Sequence, residues 1–368
     1  MNVPKSKVEL HVHLDGSPRI ETIIELAKKK NVYLPAYDVK GLEDYVSLKK
    51  PESLKSFLHC FSTFMPVLQG DPEALERIAY EFCEDKAKNG VLYCETRYSP
   101  HLLANCEVDG ISCNGSNEQH CSPRKVVESV CIGLERGSKD FDVKVKSILC
   151  CMRHKPDWSL EVVGLCEEFR NRNVVGLDIA GDESLGEIPA IKQHIMAFQR
   201  AQELGIPRTV HAGEAGPAAS VHEAIFLLHA DRIGHGYHVL ENPELYQLVI
   251  DRQIHLELCP TSSILTAAVP EPIEEHPAIK FAEDGVNFSL NTDDMLVCRT
   301  DMTHEFDVAF NKMGFSAALL TKATFNAAKS CFLPRKEKQE LIEKLKVIYG
   351  VTEDSKCFVN DINLSPTV

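Results

Sequence analysis

The 368-residue sequence has no apolar segment approaching the roughly 20 residues that a membrane-spanning helix needs. Its N-terminus, from Met1 to Leu10, alternates charged and apolar residues, unlike a signal peptide. Basic residues are not in excess, because 40 Lys and Arg stand against 54 Asp and Glu, giving a net charge of −14. Clustered Lys and Arg are needed to bind nucleic acid or an anionic membrane. We therefore expect a soluble folded protein with neither a nucleic-acid nor a membrane partner.

Cysteine is abundant, but its arrangement is not that of a disulfide scaffold or a zinc finger. The 14 cysteines are scattered over a long chain, and no C-x-x-C pair occurs. Several lie within apolar runs, as buried thiols do: Cys94, Cys150, Cys151 and Cys259. This usage is typical of the reducing cytosol, so a cytoplasmic location is expected.

Short apolar runs alternate with amphipathic segments along the chain. Eight runs have the character of strands: Val8–Leu14, Val91–Tyr98, Val143–Met152, Val174–Ala180, Arg208–His211, Arg232–Tyr237, His255–Pro260 and Val286–Thr292. The segments between them that have a helical pattern include Glu21–Lys30, Glu73–Asn89, Leu160–Arg172, Ile191–Leu204 and Val221–His229. Ser17 and Pro18 predict the cap and first position of the first helix.

This alternation predicts an α/β fold with one (β/α)8 TIM barrel. Strands separated by helices pair in parallel through right-handed crossovers, and burial of such strands on both faces explains the continuous apolar runs. An open doubly wound sheet is the alternative, but no G-x-G-x-x-G follows an early strand, which weakens a dinucleotide-binding interpretation. No linker or repeat divides the chain. We expect one domain over residues 1–368, with its core from about 7 to 350.

Two stretches interrupt the alternation, and both could cap the C-terminal face of the barrel. Pro51–Leu68 is an apolar helical segment, and Ala104–Pro123 is a polar loop. The first carries an apolar stripe that is either core packing or a lid over the site: Phe57, Phe61, Phe64 and Met65. The second contains residues whose spacing matches no known zinc module: Cys106, Cys113, His120 and Cys121.

Metal-binding and acid–base residues stand at the C-terminal ends of several predicted strands. In the first run, His11 and His13 are two residues apart and project from the same face. The fifth run ends in His211, with Glu214 close behind, the sixth contains His235, and the eighth ends in Asp293 and Asp294. Barrel enzymes place their catalytic groups at this end. Three His and a carboxylate predict a metal site that suits zinc, with iron or another transition metal as alternatives.

Seven motifs follow one another in order between about Lys7 and Gly350. They are Val8–Gly16, Arg97–Pro100, Leu177–Glu183, Thr209–Glu214, Gly234–Gly236, Ser289–Asp294 and Asn326–Ser330. Together they resemble the adenosine deaminase family of the metal-dependent amidohydrolases. The resemblance implies an enzyme that hydrolyses adenosine, and also 2′-deoxyadenosine, to inosine or deoxyinosine and ammonia in purine salvage. It also implies a monomer.

The resemblance assigns a reaction role to six of these residues. One zinc ion per chain, which activates water for attack at C6 of the purine, is implied to bind His11, His13, His211 and Asp293. Glu214 is implied to donate a proton to N1. His235 is implied to orient or deprotonate the water and to stabilise charge in the transition state.

Three further residues are implied to bind the substrate. Asp15 is matched to the 5′-hydroxyl of the ribose, the backbone N–H of Gly181 to N3 and Asp294 to N7. Without the resemblance, Asp15 could be a helix cap and Gly181 an ordinary turn glycine. A carboxylate at position 15 repels a 5′-phosphate, which favours a nucleoside over a nucleotide. His154 and Glu257 lie near other strand ends and receive no role, although metal-binding imidazoles usually have such polar partners.

Three other functions are weaker. A two-metal amidohydrolase commonly has a bridging Lys at the end of the fourth strand, but no Lys occurs from Asn171 to Ala190. A barrel kept only for binding would have lost a ligand or the proton donor, and none is missing. A single-strand nucleic-acid deaminase would carry H-x-E and P-C-x-x-C motifs, which are absent.

Overall fold

The computed structural model describes residues 3–106, 121–183 and 192–351. Each predicted apolar run overlaps one strand; four of the eight strands are as long as their runs and four are shorter. The strands are β1 Lys7–His13, β2 Val91–Tyr98, β3 Lys144–Met152, β4 Val174–Ala180, β5 Thr209–Ala212, β6 Arg232–His235, β7 His255–Leu258 and β8 Phe288–Leu290.

All neighbouring strands pair in parallel, in two sheets of four with the orders β1-β2-β3-β4 and β5-β6-β7-β8. Isolated parallel bridges join the two sheets at both seams. Val12 pairs with Asp293 between β1 and the end of β8, and Leu177 pairs with Arg208 between β4 and the start of β5. The predicted (β/α)8 barrel is confirmed.

Helices follow the strands and cover the outside of the barrel. They are α1 Ile20–Lys30, α2 Val39–Val46, α3 Leu54–Leu68, α4 Pro72–Lys88, α5 Pro100–Leu103, α6 Pro123–Asp140, α7 Ser159–Phe169, α8 Lys192–Glu203, α9 Ala218–Phe226, α10 Pro243–Asp251, α11 Pro260–Leu265, α12 Pro277–Glu283, α13 Met295–Cys298, α14 Met302–Asn311, α15 Ala317–Ser330 and α16 Arg335–Tyr349. Single 3₁₀ turns occupy Pro156–Trp158, Tyr237–Glu241 and Ile273–Glu275. Within the described ranges, no helix has an apolar stretch long enough to span a bilayer.

The predicted cap of the first helix was wrong. Helix α1 begins at Ile20, after Arg19, and has no side-chain cap. The hydroxyl of Ser17 instead donates to the backbone oxygen of His13 at 2.6 Å, which closes the turn that follows β1. The inserted helical segment is confirmed as α3, and its N-terminus is capped by Ser53, whose side chain accepts the N–H of Ser56.

The interior of the barrel contains a buried ionic network. Arg97 on β2 donates to Asp178 on β4 at 2.9 Å and to Glu257 on β7 at 2.7 Å. Arg232 on β6 contacts Glu257 at 2.6 Å and Glu95 on β2 at 2.7 Å. Buried charges are tolerated only when they are paired in this way. The network links strands of both sheets directly below the predicted site.

Candidate active site

A cavity of about 320 Å³ opens at the C-terminal ends of the strands. That volume lies in the usual range for small-molecule sites. It is lined by all of the predicted site residues except His11: His13, Asp15, Gly181, His211, Glu214, His235, Asp293 and Asp294. His11 is fully buried, and its ring packs against the rings of His211 and His235, with centroids 4.6 Å and 4.7 Å away. The structure therefore brings all nine predicted residues together.

The two imidazoles of β1 converge on one carboxylate oxygen. Nε2 of His11 lies 3.2 Å from Oδ1 of Asp293, and Nε2 of His13 lies 3.3 Å from the same oxygen. Nε2 of His13 and Nε2 of His211 are 3.2 Å apart. His235 is more distant, with its Nε2 3.9 Å from Oδ2 of Asp293. Donor atoms of His11, His211, His235 and Asp293 nevertheless all lie within 4.8 Å of one another.

This donor set fits a metal ion. Nε2 of His11 and both ring nitrogens of His235 are buried and make no aligned hydrogen bond within the described part of the chain. Unpaired polar atoms at such depth are rare without a ligand or ion. Burial lowers the pKa of His13 and of His211, so both rings are neutral, as metal binding requires. Nitrogen donors with one carboxylate match zinc chemistry.

Two residues of the cluster adopt a strained backbone. His235 has φ 64° and Asp293 has φ 63°, in the left-handed backbone region that residues other than glycine seldom occupy. Such conformations persist when the surrounding structure fixes them, and they concentrate at functional sites. At Asp293, the strand pairing with β1 supplies that constraint, because its N–H donates to the oxygen of His11 and its oxygen accepts the N–H of His13.

Three polar partners orient the cluster, and the sequence analysis gave none of them a role. Oε2 of Glu257 lies 2.7 Å from Nδ1 of His11, and Oδ2 of Asp178 lies 2.9 Å from Nδ1 of His211. The hydroxyl of Ser262 donates to Oδ2 of Asp293 at 2.7 Å. The two carboxylate contacts fix the tautomer and orientation of a metal-binding imidazole, and the Ser262 contact orients the carboxylate of Asp293. For Asp178 and Glu257 the sequence signal was a lone acidic residue inside a buried strand, whereas Ser262 lies on α11 and had no such signal.

Glu214 and His235 face each other beside the cluster. Oε2 of Glu214 lies 3.7 Å from Nε2 of His235, and both side chains are buried. Burial, together with the charges of Asp293 and Glu183, raises the pKa of Glu214 well above its usual value. Burial holds the pKa of His235 well below its usual value. A protonated carboxyl therefore sits next to a neutral imidazole, which is a pair suited to acid–base catalysis.

Two more carboxyl groups and one glycine line the rest of the cavity. Oδ1 of Asp15 and Oδ1 of Asp294 are buried without a hydrogen-bond partner in the described ranges. Burial raises the pKa of Asp15 to about 7, and burial with the charges of Asp293 and Asp15 raises that of Asp294. Gly181 follows β4 at φ 108°, a conformation that requires glycine. These groups offer hydrogen bonds to a polar ligand.

Helix α3 forms one apolar wall of the cavity. Phe57, Phe61 and Met65 line it, whereas Phe64 is fully buried behind them. The ring centroids of Phe61 and Phe64 are 5.3 Å apart. The apolar stripe was predicted to be either core packing or a lid over the site. Phe64 packs in the core, whereas Phe57, Phe61 and Met65 line the cavity.

The remaining candidates contribute little to this site. His154 lines the cavity, but it is not part of the imidazole cluster. Cys113 and His120 lie outside the described residues, whereas Cys106 and Cys121 are buried. Larger clefts of about 510 Å³ and 570 Å³ involve the opposite ends of β2, β3 and β4, and neither is lined by a predicted site residue.

A family model described as adenosine deaminase matches residues 6–348 of the chain. The adenosine deaminase of Xenopus laevis is 50% identical over 347 residues, which cover 94% of this chain and 96% of that protein. The match thus includes every residue of the cluster.

Two solved structures share the architecture at lower identity. An adenine deaminase from Arthrobacter aurescens superposes with a TM-score of 0.82 at 26% identity, covering 95% of this chain and 100% of that one. An amidohydrolase from Burkhoderia ambifaria with bound Zn gives a TM-score of 0.81 at 26% identity, covering 95% and 92% of the two chains. The barrel is thus similar to that of an adenine deaminase and to that of a Zn-bound amidohydrolase.

Proposed function

Because the chain belongs to the adenosine deaminase family, we propose that its nine clustered residues perform that family's reaction with zinc. The reaction is the hydrolytic deamination of adenosine to inosine and ammonia. The observation that carries the assignment of residues is their convergence, since side chains from β1, β5, β6 and the ends of β4 and β8 meet around one cavity.

The metal in this proposal is a single zinc ion held by His11, His13, His211 and Asp293. The choice of His13 over His235 follows from the resemblance to the family. The distances support it, because His13 lies within 3.3 Å of both Asp293 and His211 whereas His235 lies 3.9 Å from Asp293. Bound zinc supplies Lewis-acid activation of water at neutral pH. The oxygen ligand Asp293 stays ionised. Burial alone would raise its pKa, but the contact with His11 at 3.2 Å and the neighbouring imidazoles hold the pKa well below its usual value.

Glu214 is the proton donor and His235 the base in this account. Water adds to C6 of adenine while the Glu214 carboxyl gives its proton to N1, which makes C6 more electrophilic. His235 accepts a proton from the water and stabilises the charge that develops at C6. The C6–N6 bond then breaks as His235 passes its proton to the leaving amino group, which departs as ammonia. The Glu214 carboxylate takes the proton of the new C6 hydroxyl, so the C6 carbonyl of inosine forms and both side chains return to their starting states. No covalent intermediate with the protein is required, so the buried thiol of Cys259 has no part.

Three contacts would select a nucleoside. The N–H of Gly181 donates to N3, Asp294 contacts N7, and Asp15 binds the 5′-hydroxyl of the ribose. The unpartnered oxygens of Asp15 and Asp294 support these roles, because each is buried and lines the cavity. Asp15, which with a pKa of about 7 is substantially ionised at and above neutral pH, would then repel a 5′-phosphate, so adenosine and 2′-deoxyadenosine are proposed as substrates and AMP is not.

We also propose a single-domain, monomeric, cytoplasmic enzyme. The C-terminal helices support the single domain, because side chains of α15 and α16 pack with Val8 and Leu10 of the first strand. The buried free thiols support a reducing compartment. Gel filtration with light scattering tests the monomer, which should elute with the mass of one 41.1 kDa chain.

The proposed roles are tested with an ultraviolet assay of purified protein on adenosine, 2′-deoxyadenosine, AMP and adenine. Adenosine and 2′-deoxyadenosine should be converted, and AMP and adenine should not. Glu214→Gln should lower kcat by about 10²- to 10⁴-fold, because it removes the proton donor. Zinc content should not change, since Gln cannot disturb ligands that it does not touch.

The matched control is Glu203→Gln, which changes an exposed glutamate on α8. It should leave kcat within twofold of the unsubstituted protein. Turnover of AMP or adenine in preference to adenosine would overturn the role of Asp15. Unchanged kcat in Glu214→Gln would overturn the role of Glu214.

A further inference from the structure

A single buried carboxylate binds the backbone of the loop that carries Glu214. Oε1 of Glu183 accepts the N–H of Gly213 at 2.8 Å. Oε2 accepts the N–H groups of Glu214, Ala215 and Gly216 at 2.9, 3.1 and 2.9 Å. Four consecutive N–H groups therefore point at one side chain, which is 5% exposed. Glu183 is absent from the proposed reaction.

These four bonds use most of the accepting capacity of a carboxylate, which has about four lone-pair sites. Bonds from N–H groups to an ionised acceptor are roughly twice as strong as neutral ones. Successive N–H groups in a turn form a concave site that favours an anion. Here the anion belongs to the protein, so the loop conformation depends on Glu183.

The loop is shaped to admit this side chain closely. Gly213 has φ 68°, in the left-handed region. At Gly216, a Cβ would lie 2.6 Å from Oγ of Ser220 and 2.7 Å from Cδ of Glu183, closer than real contacts allow. Arg153 adds a further link, because its Nη2 donates to the backbone oxygen of His211 and lies 4.0 Å from Oε1 of Glu183.

Glu183 also stands two residues after Gly181. On the proposed function, Gly181 contacts N3 of the purine and Glu214 protonates N1, and these two nitrogens flank the same carbon of the ring. A rigid connection between residues 181–183 and 213–216 would therefore set the distance between the two groups that contact this edge of the substrate.

We propose that Glu183 is a positioning residue that holds Glu214 in register with the N1 edge of the purine. The inference rests on the proposed function and extends it. Glu183 does not touch the substrate. Its loss should impair the proton transfer to N1 more than it impairs binding, because the remaining contacts of Asp15, Asp294 and the apolar wall are independent of the loop.

The test is Glu183→Gln in the full-length zinc-loaded protein. Gln retains the size of the side chain but has one accepting oxygen, so at least one N–H loses its partner and the charge is lost. A misplacement of about 1 Å at a reacting group costs about 100-fold in rate. We expect kcat for adenosine to fall by about 10- to 100-fold while KM changes by less than about threefold.

A second readout separates positioning from general damage. In 1-deazaadenosine the ring nitrogen that accepts the proton is replaced by carbon, so its binding does not depend on Glu214 as a donor. Its dissociation constant, measured by calorimetry, should change by less than about threefold in Glu183→Gln. Gly216→Ala, whose new Cβ displaces the Glu183 carboxylate, should give the same loss of kcat with the same retained binding.

The matched control is Asp231→Asn. The carboxylate of Asp231 accepts the N–H of Arg208 at 2.8 Å, at the other end of the barrel from the site. This variant should lower the melting temperature but leave kcat within twofold. The positioning role is overturned if Glu183→Gln and Gly216→Ala keep kcat within twofold, or if either loses 1-deazaadenosine binding in proportion to kcat. An unsubstituted protein that does not deaminate adenosine would overturn the proposed function itself, and this role with it.

Discussion

Among single residues, the buried carboxyl groups of the site differ in protonation because their neighbours differ. Asp293 faces imidazoles, and its pKa is held low, whereas Glu214 faces other carboxylates in a buried position, and its pKa is raised. Such divergence marks the acid and base assignments of an active site. The motifs predicted these residues, but not their partners. Glu257 and His11 are 246 positions apart, and no local pattern encodes that pairing.

Glu257 should control how tightly His11 binds zinc. Glu257→Gln removes the carboxylate that lies 2.7 Å from Nδ1 of His11. Loss of such a partner typically weakens metal affinity by about 10- to 100-fold. Competition with a chromogenic chelator measures the zinc dissociation constant directly.

The control for this prediction is Glu95→Gln, in the same ionic network. Glu95 also pairs with Arg232 but contacts no imidazole of the cluster. Both variants should lower the melting temperature, because a buried guanidinium loses a charged partner. Only Glu257→Gln should weaken zinc binding, and equal zinc affinities in the two variants would refute the prediction.

Among the elements, the existence and order of the strands were predicted more accurately than the residues at which they begin and end. The eighth run was expected over Val286–Thr292, but β8 pairs only over Phe288–Leu290. The cause is Asn291, whose Oδ1 accepts the N–H groups of Leu10 and His11 and thereby replaces ladder bonds with side-chain bonds. Helices α2 and α6 are not among the helical segments named from the sequence pattern. Glycines inside both, Gly41 in α2 and Gly133 and Gly137 in α6, weaken the helical pattern.

Two neighbouring rings of helix α3, Phe61 and Phe64, should differ in their effects, the first on substrate binding and the second on stability. Phe61→Ala removes part of the cavity wall and should raise KM for adenosine several-fold. Phe64→Ala removes a fully buried ring and should lower the free energy of unfolding by about 3–5 kcal/mol, with a smaller effect on KM. Urea denaturation and steady-state kinetics on both variants check the prediction. A larger loss of stability in Phe61→Ala would contradict it.

Helix α14 should give the protein a measurable pH dependence of stability. Glu305 on α14 accepts the N–H of Thr261 at the start of α11, and burial raises its pKa to about 7. The folded state then binds more protons than the unfolded state between about pH 4.5 and 7, so this group's contribution to stability falls as pH rises through that window.

Glu305→Gln mimics the protonated form at every pH. Relative to the unsubstituted protein, it should have similar stability at pH 5 and gain stability at pH 8, by an amount on the order of 1–3 kcal/mol. Chemical denaturation at both pH values measures the difference. A gain that is the same at both values would show that Glu305 does not titrate in this range.

In the whole molecule, the C-terminal end of the barrel brings together site residues that are distant in sequence. The opposite end contributes to stability and contains no predicted site residue. The predicted architecture was right because the spacing of eight apolar runs leaves few alternatives. The ionic network inside the barrel was not predicted, since Arg97, Asp178 and Glu257 lie on three separate strands and no local pattern encodes their pairing. That network supports the cluster from below, so the site and the core of the barrel are physically continuous.

The central claim is that one zinc ion in this cluster drives the deamination of adenosine. The most direct measurement is to remove the metal with a chelator and titrate zinc back while following the conversion of adenosine. We predict that activity disappears on removal and returns linearly to a break at one zinc per chain. Activity that survives complete removal of metal, or a break at two zinc ions per chain, would contradict the account.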